Sequence, residues 1–259
     1  MTECAVREEL GELLSPSQVG TYLTCPAKWY FRYLVGLTEP ATGALALGKA
    51  FHAALATNFR RKLTTGRDME PAEVQEVFEQ EWVLSSDEAE LREDEDASEL
   101  ATTGEALVNT YIREAASSVQ PRGVEQPVSG RIAGVKVRGI VDVLDTNGRV
   151  IDFKTASKRP NGIAADHGLQ LSTYAMITPG ANGTCRLDTV TKTKIVQVIQ
   201  QTYAVGPEER RLAETVYPMV QDSIRDGIYP PHRRSPLCSR KHCGYWRECE
   251  REFGGRVPE

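Results

Sequence analysis

Apolar residues recur at helical spacing through the first half of the chain, then alternate with polar ones, then return to helical spacing. Ser15 suits an N-cap, with Pro16 in the first turn, Gln18 three residues on, and Val19, Tyr22 and Leu23 on one face. Cys25-Pro26 interrupts that helix, and a second runs through Lys28–Leu34 to a stop near Gly36. Helices are also predicted over residues 47–63, 71–84 and 98–119. Residues 124–132, 135–145 and 149–156 read as strands, the last two joined by an Asn147-Gly148 hairpin turn. A helix over 167–177, strands over 185–194 and 195–205, and a helix from Pro207 to Gly227 complete the order. The expected fold is α/β or α+β in one domain. It has a mainly helical part over 14–119, an α/β core over 124–227 and a C-terminal segment over 228–259. Tyr22, Trp29, Tyr30, Phe31 and Tyr33 are at helical spacing and are expected in the core, although such a cluster can also stack bases.

Composition adds little until its distribution is considered. The 259 residues are 40% apolar and 26% charged, with no run long enough to span a membrane. The charged N-terminus lacks a signal-peptide core, so a cytoplasmic location is expected. The formal net charge of −5 argues against a nucleic-acid partner. However, Asp87–Glu99 alone carries −7, which leaves the remainder at +2 with a basic lean near the C-terminus. The six cysteines are equally uneven. Cys238, Cys243 and Cys249 have C-x4-C-x5-C spacing, which in a cytosolic chain reads as metal ligation, with Cys25 the best fourth ligand. Cys4 and Cys185 fit no pattern.

The candidate chemistry lies on neighbouring strands. Asp142 interrupts an apolar run, and Asp152 and Lys154 are two apart, so both face one side of the sheet while Phe153 faces the other. Charges among Val, Ile and Phe need partners, and a divalent cation is the natural one for two converging carboxylates. With Lys154 to orient water or stabilise a charged transition state, the set suits phosphodiester hydrolysis. His52, on a helix, is a candidate additional ligand, and Gln170 and Tyr174 share one helix face after the D-x-K strand.

In this order the segments LSPSQVGTYLTCPAKWYFRY, GKAFH, GIVDVLD, VIDFK, QLSTY and the cysteine tail resemble the PD-(D/E)xK nuclease superfamily. The likeness is to its RecB-like iron–sulfur branch, which includes CRISPR-associated RecB-like exonucleases and the AddB nuclease domain. The resemblance implies a restriction-endonuclease-like core, a mixed sheet flanked by helices, with the helical portion before it and the cysteine cluster after it. It implies His52, Asp142 and Asp152 as Mg²⁺ or Mn²⁺ ligands, and Asp142, Asp152, Lys154, Gln170 and Tyr174 as catalytic. It assigns Cys25, Cys238, Cys243 and Cys249 to a structural [4Fe-4S] cluster. The family commonly has two residues between its second and third cysteines, where this chain has four, so a Cys4 zinc site stays open. The implied activity is a DNA exonuclease on single strands or free ends, in recombination, repair, phage replication or CRISPR adaptation. A helicase or CRISPR integrase is the implied partner, because the chain has no Walker A loop. Alternatives are a structure-specific or nicking endonuclease, and an inactive nucleic-acid-binding subunit.

Overall fold

A computed structural model describes residues 11–92 and 95–259, which places Cys4 outside the described residues. By internal contacts the chain divides into two compact units. The first takes residues up to Glu39, Ser129–Gly139 and Pro207–Glu259, and the second takes Pro40–Val128 and Ile140–Gly206.

In the first unit, the short strand β1 (Leu13–Leu14) pairs in parallel with the start of β3 (Val135–Asp145) at Lys136 and Val137. Helix α1 (Pro16–Thr24) begins as the sequence predicts: the Gln18 amide donates to Ser15 Oγ at 3.2 Å and the Ser15 amide to Gln18 Oε1 at 2.8 Å. Cys25 is extended between α1 and α2 (Pro26–Trp29), which continues as a π-helical turn, Tyr30–Leu34. Trp29, Phe31 and Tyr22 are buried, and Trp29 stacks on Tyr229 with centroids 5.7 Å apart. Tyr22, Trp29 and Phe31 are therefore packing residues, while Tyr30 and Tyr33 are partly exposed. Helix α7 (Pro207–Arg225) buries Ala213, Tyr217, Val220 and Ile224 along one stripe. Helix α8 (Trp246–Phe253) lies inside the cysteine segment and buries only Cys249, so it lacked an apolar stripe to reveal it.

In the second unit, helices α3 (Gly43–Thr65), α4 (Pro71–Asp87) and α5 (Ala97–Glu114) precede β2 (Pro121–Ile132), which pairs with β3. β3 pairs antiparallel with β4 (Val150–Ala156). Helix α6 (Ala165–Ile177) is the crossover to β5 (Thr184–Thr191), parallel to β4, and β6 (Val198–Ala204) closes the order antiparallel to β5. The result is a mixed sheet flanked by helices.

The β3–β4 turn follows from its residues. Gly148 takes φ 79°, and an added Cβ there would meet the Gly180 carbonyl at 2.6 Å. The buried Asp145 carboxylate accepts the amides of Asn147 at 2.9 Å and Arg149 at 2.8 Å. Leu47, Phe51, Leu55 and Phe59 of α3 pack with Phe78, Tyr111 and Val190, and with Ile151 and Phe153 of β4. Phe153 stacks on Phe59 at 5.8 Å and meets Tyr111 edge-on at 5.4 Å. Anchoring Phe153 among these helices turns its neighbours, Asp152 and Lys154, to the opposite face. Among the described residues no helix is long and apolar enough to cross a membrane.

Candidate metal-dependent active site

Every residue anticipated for hydrolysis lies in the second unit. β3 presents Asp142, whose Oδ2 accepts the Phe153 amide of the neighbouring strand at 2.9 Å. α3 brings His52 Nδ1 to 3.4 Å from the same oxygen. On β4, Lys154 Nζ lies 2.5 Å from Asp152 Oδ2. α6 supplies Gln170, whose amide donates to Asp152 Oδ1 at 3.2 Å and reaches the Tyr174 hydroxyl at 3.5 Å. The helical spacing of Gln170 and Tyr174 thus puts both on the face toward β4.

The two carboxylates titrate in opposite directions. Burial works against ionising Asp142, but the His52 hydrogen bond and charge, Lys154 and the Phe153 amide outweigh it and hold its pKa below the usual range. Asp152 is pushed up to about 6, first by burial and then by repulsion from Asp142, with Lys154 opposing. His52 is raised: burial acts to lower it, but its hydrogen bond and attraction to Asp142 win. Burial also pushes the Tyr174 phenol up to about 12, so it stays a neutral donor at ordinary pH. Two acids with divergent environments beside a lysine are what a cation would neutralise together.

Sequence reading missed one member. Among the described residues, donor atoms of His52, Glu125 and Asp142 lie within 4.8 Å of one another, close enough to share one cation. Burial and Asp142 raise the Glu125 pKa, while His52 and Arg60 lower it. Glu125 sits in β2 at φ 46°, an unusual backbone for a non-glycine residue. Strand alternation gives no warning of such a kink, so nothing in VEQPVSGRI singled this acid out.

In the first unit, Cys25, Cys238, Cys243 and Cys249 line one cavity with Ala27, Phe31, Leu237, Tyr245 and Val257. All four are free thiols. Cys25 Sγ accepts the His232 amide at 3.3 Å. Cys249 is raised to about 11 by burial, with Arg233 opposing and the other three sulfurs adding to the rise, so the four thiols are within electrostatic reach of each other. Cys185 is buried on β5, its Sγ 3.5 Å from the Leu171 carbonyl, and belongs to neither site.

No curated protein matches the chain. Among solved structures, a protein of Eubacterium rectale described provisionally as an exonuclease aligns over 87% of this chain and 85% of its own, with a TM-score of 0.60 and 12% identity. That likeness shows a shared fold. The structure of SSO0001 aligns over 90% of this chain and 96% of its own at 14% identity, with a TM-score of 0.38 too low to carry an argument. The family model of the PD-(D/E)XK nuclease superfamily matches residues 13–250, the span that holds His52, Asp142, Asp152, Lys154 and all four clustered cysteines. The chain belongs to the PD-(D/E)XK nuclease superfamily.

Proposed function

We propose that this nuclease is a Mg²⁺- or Mn²⁺-dependent deoxyribonuclease that removes nucleotides from single-stranded DNA or DNA ends. The observation that carries the reading is the convergence of Asp142, Asp152, Lys154 and His52 from two strands and a helix. His52, Asp142 and Glu125, whose donor atoms lie within 4.8 Å of one another, would hold the cation, with Asp152 as the further carboxylate ligand. Bound there, a divalent cation supplies Lewis-acid stabilisation of charge on the phosphate. The chain's own groups do the rest. Asp152 fixes the Lys154 ammonium, which is partly exposed and free to donate to an attacking water or a phosphate oxygen. Gln170 holds Asp152 in place by its amide, and Tyr174 offers a neutral hydroxyl beside it. End processing of this kind serves recombination, repair or CRISPR adaptation, with unwinding supplied by a helicase partner.

The cysteine cavity fits a structural [4Fe-4S] cluster. Four free thiols line one apolar pocket, and burial raises Cys243 and pushes Cys249 up to about 11, which favours the thiol at those two positions unless a metal takes the proton's place. Zinc at the same thiolates is the competing occupant. Anaerobic protein that is brown and carries iron supports the cluster, and colourless protein with stoichiometric zinc overturns it.

Cleavage of end-labelled single-stranded DNA tests the activity. Asp152→Ala and Lys154→Ala should each abolish it without lowering helix content, as should EDTA. Full activity in either variant, or in EDTA, sinks the assignment. Covalently closed circular single strands should resist, since an exonuclease needs an end; their cleavage would indicate an endonuclease.

A further inference from the structure

Lys49, His52, Ala53, Ala56 and Arg60 lie along one face of α3 and line a cavity of about 350 Å³ whose other wall is Glu125, Ile140 and Asp142. Lys49, Ala53, Ala56 and Arg60 follow in steps of four, three and four, which keeps them in one file with His52 beside Ala53. At 1.5 Å per residue, Lys49 and Arg60 are about 16 Å apart along the helix. His52 stands one turn from Lys49 and more than two turns from Arg60.

Neither cation is consumed by folding. Lys49 is 63% exposed and pairs loosely, at 3.5 Å, with Glu88, which is 75% exposed. Arg60 is exposed, and Glu125 feels its charge across the cavity. Between them Ala53 and Ala56 leave a shallow floor, and Ile140 presents apolar surface at the lip, 53% exposed and two residues before Asp142 on the same strand face. An inorganic phosphate or a mononucleotide would engage one cation of such a pair. Two cations this far apart, with apolar surface between them and a metal site on the same line, match an extended polyanion whose charged phosphates alternate with uncharged sugars that offer C–H faces.

We infer that this face of α3 is the track of a single DNA strand. Lys49 and Arg60 seat phosphates on either side of the one at His52, and Ile140 packs on the intervening sugar. The inference rests on the nuclease reading above and adds to it the substrate's path, one strand in one file. Glu88 acts against binding, because its carboxylate competes with phosphate for Lys49.

The test is binding of a labelled oligothymidylate to the full chain, read by fluorescence anisotropy in Ca²⁺ across a salt series. Lys49→Gln and Arg60→Gln should each flatten the slope of log affinity against log salt by about 0.7, and the double variant by about 1.4. Glu88→Gln should move the other way, tightening binding about twofold to fivefold at low salt, a gain that damage to the fold cannot mimic. Wild-type slopes in the double variant, with Glu88→Gln unchanged, would overturn the track while leaving the nuclease assignment intact. Wild-type protein that neither binds nor cuts DNA would overturn both.

Discussion

Burial and the neighbouring Asp142 make ionisation of Asp152 costly. Its folded-state pKa of about 6 lies above the ordinary 3.8, so its carboxyl keeps its proton to a higher pH in the folded protein than in the unfolded chain. Below about pH 4 it is protonated folded or unfolded and opposes nothing. As pH rises through 6 it ionises beside Asp142, and stability is lost. A shift of two pKa units corresponds to about 3 kcal/mol. That shift already contains the Lys154 attraction, so the gain from Asp152→Asn above pH 6 is at most about 3 kcal/mol. In EDTA, Asp152→Asn should therefore raise Tm by a few degrees at pH 8 and by almost nothing at pH 4. With Mg²⁺ present the advantage should vanish, because the cation then stabilises the wild-type carboxylate. A Tm gain that is independent of pH would show that Asp152 is not the strained group. Glu125 gives a separate residue-scale expectation. Outer-shell partners of a metal commonly contribute 10–100-fold to affinity, and a direct ligand contributes at least as much. Glu125→Gln should thus weaken Mn²⁺ binding at least tenfold by calorimetry. Unchanged Mn²⁺ affinity would remove Glu125 from the site.

At the scale of elements, α4 and α5 meet where Gly104 faces Phe78. A Cβ on Gly104 would sit 2.0 Å from Phe78 Cζ and within 2.8 Å of both neighbouring ring carbons. Gly to Ala within a helix ordinarily stabilises by about 1 kcal/mol. Here the fully buried ring has no room to retreat, and overpacking of this kind costs about 1–3 kcal/mol. Gly104→Ala should lower stability in urea, and Phe78→Leu should partly rescue it; a stabilised Gly104→Ala would mean the ring repacks freely. Elements of this length were legible because their apolar spacing is set by the core they cover: α3, α5, β3, β4 and α6 are found close to where periodicity places them. The same periodicity put Asp152 and Lys154 on one face and Gln170 and Tyr174 toward it. Elements without a buried stripe left no signal. β1 is two residues long, and α8 shows the core little besides Cys249. Glu125 was hidden for a related reason, since its aim depends on a positive φ within a strand and not on alternation. Lys49 and Arg60 carry no motif of their own, and only the cavity between α3 and β3 gives them a common function.

For the whole molecule, the division into units separates the two proposed metal sites. The hydrolytic residues all belong to the second unit, and Cys25, Cys238, Cys243 and Cys249 all belong to the first. The first unit is assembled from three stretches of chain, with the entire second unit inserted between them. Its small core around the cysteines comprises Ala27, Phe31, Tyr245 and Cys249, with Cys25, Tyr30, Leu37 and Cys243 against it, so the residues from the two ends of the chain meet over a modest apolar surface. Among the described residues the same join carries hydrogen bonds from the Tyr22 hydroxyl to the Ile228 carbonyl, the Tyr245 hydroxyl to the Leu37 carbonyl and the Gly244 amide to Glu39 Oε1, and the His232 amide donates to Cys25 Sγ, a candidate ligand. A metal clip is most effective where it closes a long loop on a small core, because the chain entropy it removes from the unfolded state grows with loop length. With the proposed cluster bound, Cys249→Ser should therefore abolish its visible absorbance and lower the Tm of the first unit by several degrees. The second unit's fold rests on its own larger core, around Phe59, Phe78, Tyr111 and Phe153, and contains no cysteine ligand. Its melting transition, and Mn²⁺ binding through His52, Glu125 and Asp142, should persist in Cys249→Ser. Calorimetric scans with and without Mn²⁺ separate the outcomes. Two transitions, only one of which moves, support a structural clip confined to the first unit. Loss of Mn²⁺ binding together with the absorbance would instead make the cysteine cluster a condition for the active site itself.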